Sequence, residues 1–530
     1  MMTKLFNPLV LLVLLALPAL AVQPAEGETL AAEQTFTYWL QDRVGALDPA
    51  AAAEPQDRDA VRQLFEGLMN EGPDGTMVPG VAISHQVSAD GLTHTFVLRE
   101  ASWSDGEPVT ADDFVHGWRR VADPKAGFAS ARFLTLMNVA NARRIIAGEL
   151  SSDQLGVRAL DERTLQVTLD KPTPHLLKML ADPATYPVPR KVIDRHGSAW
   201  TQPGILVGNG AFVLQANTAG EITFVRNPAY WDAGNVVMQA LRGVVVNGAD
   251  AALARHLAGD LDRAPIPAGR YGQVSQDHPG RAVALPVPCT YFYVLNLSDK
   301  GPAALKDIRV RQALSLALDR DGIVDRVLRG GQRPALGLTH WAIADLPAPA
   351  IAGMTPDQRN TAARVLMAQA GFGPANPLSL TLHYNTDEHH KALAIAAQQS
   401  WKPLGVKLAL SDDDWGTHSD RMHRGDFDIA RYSWCADYGD ATSFLDWFRS
   451  KGPNLGGWNN AAYDRLMAEA ERAPDPAAMH AQAEGLLATE LPAIFVYHYA
   501  RAEMIDPAIR GLPTETAARW YGKDLYRVAD

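Results

Sequence analysis

Cysteine is almost missing from this sequence, with two among 530 residues. No cysteine cluster is therefore available to hold a metal. Long apolar runs are also missing beyond the N-terminus. No later window holds 18 or more uncharged apolar residues, so no membrane-spanning helix is expected. Positive charge is in deficit, with 49 Lys and Arg against 60 Asp and Glu and a net charge of −11. That balance argues against nucleic acid and against an anionic membrane surface as partners. It says little about a small ligand, because a local site can oppose the global sign. There is no internal repeat, and the Ala/Pro-rich pieces at 50–55 and 346–352 are too short to be tethers.

The common catalytic signatures are missing too. The chain has no Gly-x-Ser-x-Gly elbow, no phosphate loop and no Ser/Lys pair of the penicillin-binding type. His383, His389 and His390 lie close in sequence but lack the His-Glu-x-x-His spacing, and they read as polar surface at a helix start. Asp412, Asp413 and Asp414 lack the alternating ligands and glycine of a calcium loop and read as a solvated acidic turn. No metal, no cofactor and no catalysis are expected. A secreted hydrolase of unrecognised type is the competing class.

What is present begins with an export signal. Lys4 supplies charge, 8–17 is an apolar core, and Ala19-Leu20-Ala21 offers a small-residue cleavage site. Residues 1–21 are expected to be removed by a cut after Ala21, and no cysteine follows the apolar core, so no lipid anchor is expected there. In a disulfide-permissive compartment, Cys289 and Cys435 suggest one structural bridge. The alternative is two separate buried thiols. Hydrophobic residues at 47% and charged residues at 21% fit a folded body, and its length calls for two or three domains.

Periodicity gives the elements coarsely. Residues 36–40, 93–98 and 164–169 alternate as half-buried strands. The span 307–320 reads as a helix, with Val310, Leu314, Ala317 and Leu318 on one face and Asp307 as cap. A strand at 378–384, a helix at 389–401 and a strand at 406–410 form a βαβ order, implying an α/β lobe with a mostly parallel sheet. Tyr291 and Tyr293 alternate with Phe292 and Val294, so one face of that strand should be buried. The tail from Tyr499 has few periodic signals.

Five segments then carry a resemblance. They are Trp103-Ser104-Asp105-Gly106-Glu107-Pro108 running on to Phe114; Leu47-Asp48-Pro49 leading to Leu64-Phe65-Glu66-Gly67-Leu68; Gly208-Asn209-Gly210-Ala211-Phe212; Arg226-Asn227-Pro228-Ala229-Tyr230-Trp231; and Asp307 through Leu314. In this order the chain resembles the large family 5 extracellular solute-binding proteins that serve peptide and nickel ABC transporters. The two cysteine segments and Tyr384-Asn385-Thr386 resemble its oligopeptide and murein-peptide branch. The resemblance implies an α/β, two-lobed periplasmic binding protein of type II-like architecture, with a hinge and an additional inserted domain. Lobe I would comprise 22–65, 192–288 and 499–530, the inserted domain 66–191, and lobe II 289–498. Hinge crossings would fall near Pro286, Val287 and Pro288 and near Tyr499.

The resemblance also implies a site. A receptor for peptides of varied sequence must use what every peptide shares, and backbone groups are best met by strand addition to a sheet edge. One edge maps to Ser433, Trp434 and Cys435 and a second to Ala53, Glu54 and Pro55, although Pro55 has no N–H to donate. Asp437, in Ser433-Trp434-Cys435-Ala436-Asp437-Tyr438, matches the acid that meets the ligand ammonium; the plainer reading is a loop acid. Arg431 and a protonated His390 match groups at the carboxylate end. Two further cationic positions of the family fall on Met422 and near Leu328, with Arg421, Arg424 and Arg329 close by in sequence. Trp415 and Trp434 match ligand-lining rings, whereas Trp103, Trp118, Trp231 and Trp401 read as packing. The implied protein is a monomeric periplasmic receptor that delivers short peptides to an inner-membrane ABC permease and its ATPase. Murein-derived peptides or another small solute are the alternative ligands.

Overall fold

Six residues, Thr35–Leu40, show how this sequence becomes a sheet. Phe36, Tyr38 and Leu40 are buried and the residues between them are not, the period-2 pattern of a strand with one face on a core. This strand, β1, pairs in parallel with a later one in which Gly243 sits opposite Tyr38. A Cβ at Gly243 would lie 2.9 Å from the Tyr38 ring, so only glycine lets the two backbones approach. The computed structural model describes residues 24–473 and 475–529; the expected leader, 1–21, lies outside the described residues. Contacts divide the chain into unit 1, Met1–Ile266 with Glu503–Asp530, and unit 2, Pro267–Ala502. The chain thus passes between units upstream of Pro286, because residues around Tyr271 pack within unit 2 against Gly331.

In unit 1, α1 (Pro55–Leu64) follows β1. A four-stranded antiparallel sheet comes next, built from β2 (Ala82–Val87), β3 (Thr93–Leu98), β4 (Val157–Asp161) and β5 (Thr164–Thr168) in the order β2-β3-β5-β4. Its companion helix α2 (Ala111–Ala122) opens at Thr110, whose backbone N–H and hydroxyl both donate to the Asp113 carboxylate, the return half of a capping box. The main sheet of the unit adds β6 (Phe212–Asn217), β7 (Glu221–Arg226), β8 (Ala240–Val245) and β9 (Arg263–Pro265). Its strand order is β9-β1-β8-β7-β6, with Glu503, Met504 and Ile505 pairing outside β9.

The segments that carry the family resemblance knit unit 1 together. Glu66 accepts from Asn70 Nδ2 at 2.7 Å, Tyr230 Oη at 2.6 Å and Trp231 Nε1 at 2.6 Å. The Glu66 backbone exchanges hydrogen bonds with the Asn209 side chain, and Asn227 donates to the Gly210 carbonyl. A buried carboxylate is tolerated only when its lone pairs are met; here the 226–231 motif supplies two donors and Asn70 a third, while Asn209 holds the Glu66 backbone.

Unit 2 is built on β10 (Ala282–Leu295), α3 (Ile308–Ala317), α4 (Pro356–Gln369), β11 (Leu378–Asn385), α5 (Glu388–Trp401), β12 (Val406–Asp413), α6 (Trp415–Arg424), β13 (Ile429–Cys435) and β14 (Ala493–Ile505). The order β12-β11-β13-β10-β14 places β10 inside the sheet, between β13 and β14. The β11-α5-β12 unit is parallel as expected, but β13 runs antiparallel to β10, so the sheet is mixed rather than mostly parallel. Central placement also buries both faces of β10. Tyr291 and Tyr293 join one core with Trp401 and Leu314, and Phe292 and Val294 join another with Trp447 and Phe495. The expected single buried face is corrected accordingly. The helix expected over 307–320 stops at Ala317, because Leu318 turns extended and Asp319 caps a new turn by accepting from Gly322 N. Asp307 is its cap, accepting from Arg309 N.

Cys289 and Cys435 face each other across the β10–β13 ladder and are disulfide-bonded. The bridge closes a loop of 146 residues, for which the chain-entropy account gives at most about 5 kcal/mol. Non-reducing peptide mapping should recover one linked Cys289–Cys435 pair, and a Cys289→Ser/Cys435→Ser variant should lose a few kcal/mol against urea. Two alkylatable thiols in the native protein would contradict this.

Candidate functional site

The β10–β13 ladder fixes which backbone groups reach outward. Ala436 N donates to Pro288 O and Asn296 N to Asp428 O. In an antiparallel pair, hydrogen-bonded residues alternate with residues that turn their polar groups the other way. Trp434 and Tyr432 therefore bond to β10, while Arg431, Ser433 and Cys435 present N–H and C=O on the far side. β11 occupies that side only opposite Ile429 and Ala430. The Arg431 carbonyl accepts from His418 Nε2 at 2.9 Å. Among the described residues no strand lies beside Ser433 and Cys435 on this side, and Cys435 is exposed. The sheet thus has an open edge two residues before Asp437.

The turn after this edge is tied down. Asp437 N donates to Ser443 Oγ at 2.7 Å, and Trp434 Nε1 donates to the Ser443 carbonyl at 2.5 Å. Asp440 accepts from Thr442 N and Oγ1. Asp437 is half-buried, and its backbone is fixed by the bond to Ser443.

At the other end of the edge lies a guanidinium out of water. Arg431 is 8% exposed. Its Nη1 donates to Asn385 Oδ1 at 3.0 Å and its Nη2 to Ser433 Oγ at 3.2 Å, while Nε has no partner. The guanidinium carbon stands 5.0 Å from the centre of the Tyr291 ring, a cation–π arrangement. No carboxylate pairs with it among the described residues. Around it the Tyr291 and Tyr293 hydroxyls and the Nδ1 atoms of His390 and His418 are buried without hydrogen-bond partners. Burial raises both tyrosine pKa values, so these hydroxyls are protonated donors. Because His418 Nε2 donates to the Arg431 carbonyl, the Nδ1 of neutral His418 is an acceptor; the tyrosine hydroxyls are the donors left beside this unmatched buried cation, a combination that can receive an anion.

His390 departs from expectation. Its ring lies tilted at 45° to the Tyr291 ring, 5.6 Å away, and burial, with Arg431 second, pushes its imidazole down to about 4. The His390 imidazole is therefore neutral at neutral pH, and its Nδ1 has no hydrogen-bond partner, which corrects its reading as a protonated partner. The other cations near in sequence are already engaged or remote. Arg421 pairs with Asp413 at 3.0 Å and Arg424 with Asp426 at 3.1 Å. Arg329 is exposed in a left-handed conformation. Met422 and Leu328 are core residues. The acidic run is likewise accounted for: Asp414 caps α6 and Asp413 holds Arg421.

Trp415, first in α6, is 52% exposed, with its ring 6.5 Å from that of Tyr432. Trp434 lies on the face of the sheet opposite Arg431 and packs with the Phe292 core, so its indole is bound up in packing and only its chain position belongs to the edge. Ala53, Glu54 and Pro55 lie in unit 1 and are exposed, but they form no strand. Pro55 takes the first position of α1, with Glu54 extended as its cap, a helix entry that proline favours. Three contributors were missed from sequence. Asn385 and His418 orient Arg431 from a strand end and a helix, and Ser443 fixes the Asp437 turn. No local pattern marks a polar residue whose only role is to hold another in place.

With this fold and site described, the chain can be placed: it belongs to the bacterial extracellular solute-binding proteins, family 5, whose model matches residues 76–456. The family is one of binding proteins, not enzymes. Among similar proteins, the periplasmic murein peptide-binding protein MppA of Escherichia coli (strain K12) is 38% identical over 504 residues, covering 93% of each chain. The periplasmic oligopeptide-binding protein OppA of the same organism is 37% identical, covering 93% of this chain and 92% of that one. A solved structure of MppA, the periplasmic murein tripeptide-binding protein in its unliganded open form, superposes with a TM-score of 0.90 at 37% identity, covering 96% of this chain and 99% of that one.

Two outcomes follow from the geometry. An unmatched buried charge costs stability, and apolar replacement of such groups is often stabilising. Arg431→Met should raise the urea stability of the ligand-free protein by about 1–2 kcal/mol; a loss of similar size would mean that the guanidinium is structurally required. The second concerns pH. Burial also holds His340 down to about 4 and His498 to about 3. Below pH 6.5 the unfolded chain binds protons at these histidines that the folded chain refuses, so stability falls with pH from about 6.5 towards 4. Each histidine contributes on the order of 2–3 kcal/mol across that window. Urea melts at pH 7 and pH 4.5 measure it, and replacing His340 with Gln should flatten the slope.

Proposed function

We propose that the protein is a periplasmic receptor that captures short peptides and delivers them to an inner-membrane ABC permease powered by its ATPase. The observation that carries this reading is the open edge at Ser433 and Cys435, with Asp437 at one end and the unpaired Arg431 guanidinium at the other. A peptide laid antiparallel to β13 pairs its amides with that edge, places its ammonium at Asp437 and turns its carboxylate to Arg431. The ends of the site are six residues apart along the chain, roughly 20 Å when extended. Allowing for the reach of the arginine side chain, this suits a ligand of about three to five residues. Export to the periplasm with cleavage after Ala21, and action as a monomer, complete the proposal.

A second reading is favoured by the murein peptide-binding relative. A murein-derived peptide also carries a free amine and would meet the same acid and the same arginine. Native mass spectrometry of the purified protein separates the two by the mass of any co-purified ligand.

The decisive test is on Asp437. Charge-assisted contacts contribute about 1.5–3 kcal/mol, so Asp437→Ala should weaken free-amine peptides roughly 10- to 150-fold. The same variant should leave N-acetylated peptides unaffected in calorimetric titrations. Equal affinity of the unaltered protein for free and acetylated peptides would remove Asp437 from the site.

A further inference from the structure

A cavity of about 490 Å³ opens in unit 2, between the C-terminal ends of α3 and α5, the N-terminal half of α4 and the π-helical turn Ile323–Leu328. Its volume lies within the range of small-molecule sites. Leu318, Ile323 and Leu404 form a buried apolar floor, and Leu316, Val327 and Ala396 widen it. Three guanidiniums stand in its walls against one carboxylate. Arg326 pairs with Asp319 at 2.5 Å, and Arg359 pairs at 2.9 Å with Asp321, which lies outside the lining. Arg364 donates only to the Thr361 hydroxyl at 3.3 Å, with no carboxylate partner among the described residues.

The sign of the cavity follows from these charges. Two helix C-termini contribute about half a negative charge each and the α4 N-terminus about half a positive charge. With Arg326 and Arg359 each paired to a carboxylate, the one surplus charge is that of Arg364, which is exposed at the rim, and it outweighs the net half negative charge of the helix ends. The cavity is also separate from the Arg431 site. Both use α5, but His390 stands at its first turn, whereas Ala396, Gln399 and Ser400 line the cavity from its last two turns. Ten residues of helix separate the extremes by about 15 Å.

We propose that this cavity is a second binding site, specific for a small amphipathic molecule with an oxyanion head on an apolar body. The head, a carboxylate or a phosphate, meets the Arg364 guanidinium, whose planar fork suits either. The apolar body covers Leu318, Ile323 and Leu404. A ligand carrying an ammonium finds only Asp319, which Arg326 already occupies. The reading is independent of peptide capture and uses none of its residues.

The test is calorimetric titration of the full-length mature protein with dodecanoate and dodecyl phosphate, both below their micellar concentrations, with dodecanol as the uncharged control. One molecule of at least one anion should bind per chain, and whichever anion binds identifies the head. Arg364→Ala should weaken it about tenfold or more, and Ala396→Trp, which fills the cavity, should abolish it. Both variants should keep peptide affinity within about twofold, which also reports that they fold. Absence of binding by both anions, dodecanol binding as tightly as the anions, or unchanged anion affinity in the Arg364→Ala protein would overturn the assignment.

Discussion

A positive charge kept from water, with no carboxylate paired to it among the described residues, is the constraint on which the site in unit 2 depends. Arg431 is steadied by dipoles alone: an asparagine carbonyl, a serine hydroxyl and the face of a tyrosine ring. None of these cancels its charge, and a carboxylate in the same place would. Natural cores avoid such arrangements because they are expensive. Here the neighbours are tuned to sustain it, since the histidines around it stay neutral and add no second charge to repel. The arginine's own carbonyl is pinned by His418, so the side chain is held by its backbone as well as by its tip.

The same ladder that holds Arg431 decides what lies next to it. β10 fills one side of β13, the disulfide fixes the ladder's end, and β11 stops short at Ala430. Positive end, open amides and acid are therefore three stretches of one continuous segment, in an order dictated by pairing register. Unit 1 shows a parallel economy around Glu66, where Asn70, Tyr230 and Trp231 converge on one carboxylate.

Much of this was legible in the sequence, for reasons that differ between residues. The strands over 36–40, 93–98 and 164–168 were readable because period-2 burial writes itself into residue choice. Helix α3 was readable from its apolar face and α5 from its place in the βαβ order, but the end of α3 was not, because Asp319 capping a new turn is a competition between two local structures. The family motifs were readable as a signature. Their physical role was not, since Glu66, Asn209 and Trp231 meet only after folding. The edge positions at 433–435 came from resemblance, whereas the neutrality of His390 came from burial and a neighbouring guanidinium, neither of which a sequence displays. The sequence also gave no hint that Pro55 would begin a helix rather than border a sheet, since proline is compatible with both.

The alternation along β13 carries one more implication. The groups that face outward at Ser433 and Cys435 belong to the peptide bond, and every residue but proline supplies the same ones. The hydrogen-bonding row therefore places no demand on the side chain at 433, whose constraint comes instead from the hydrogen bond its hydroxyl accepts from Arg431. Residues that only uphold that row, such as Phe292 and Trp447 beneath it, are held fast by packing. A comparison of descendants would then find strict positions in the scaffold, and the amide row that does the recognising would leave no trace of its own in residue identity.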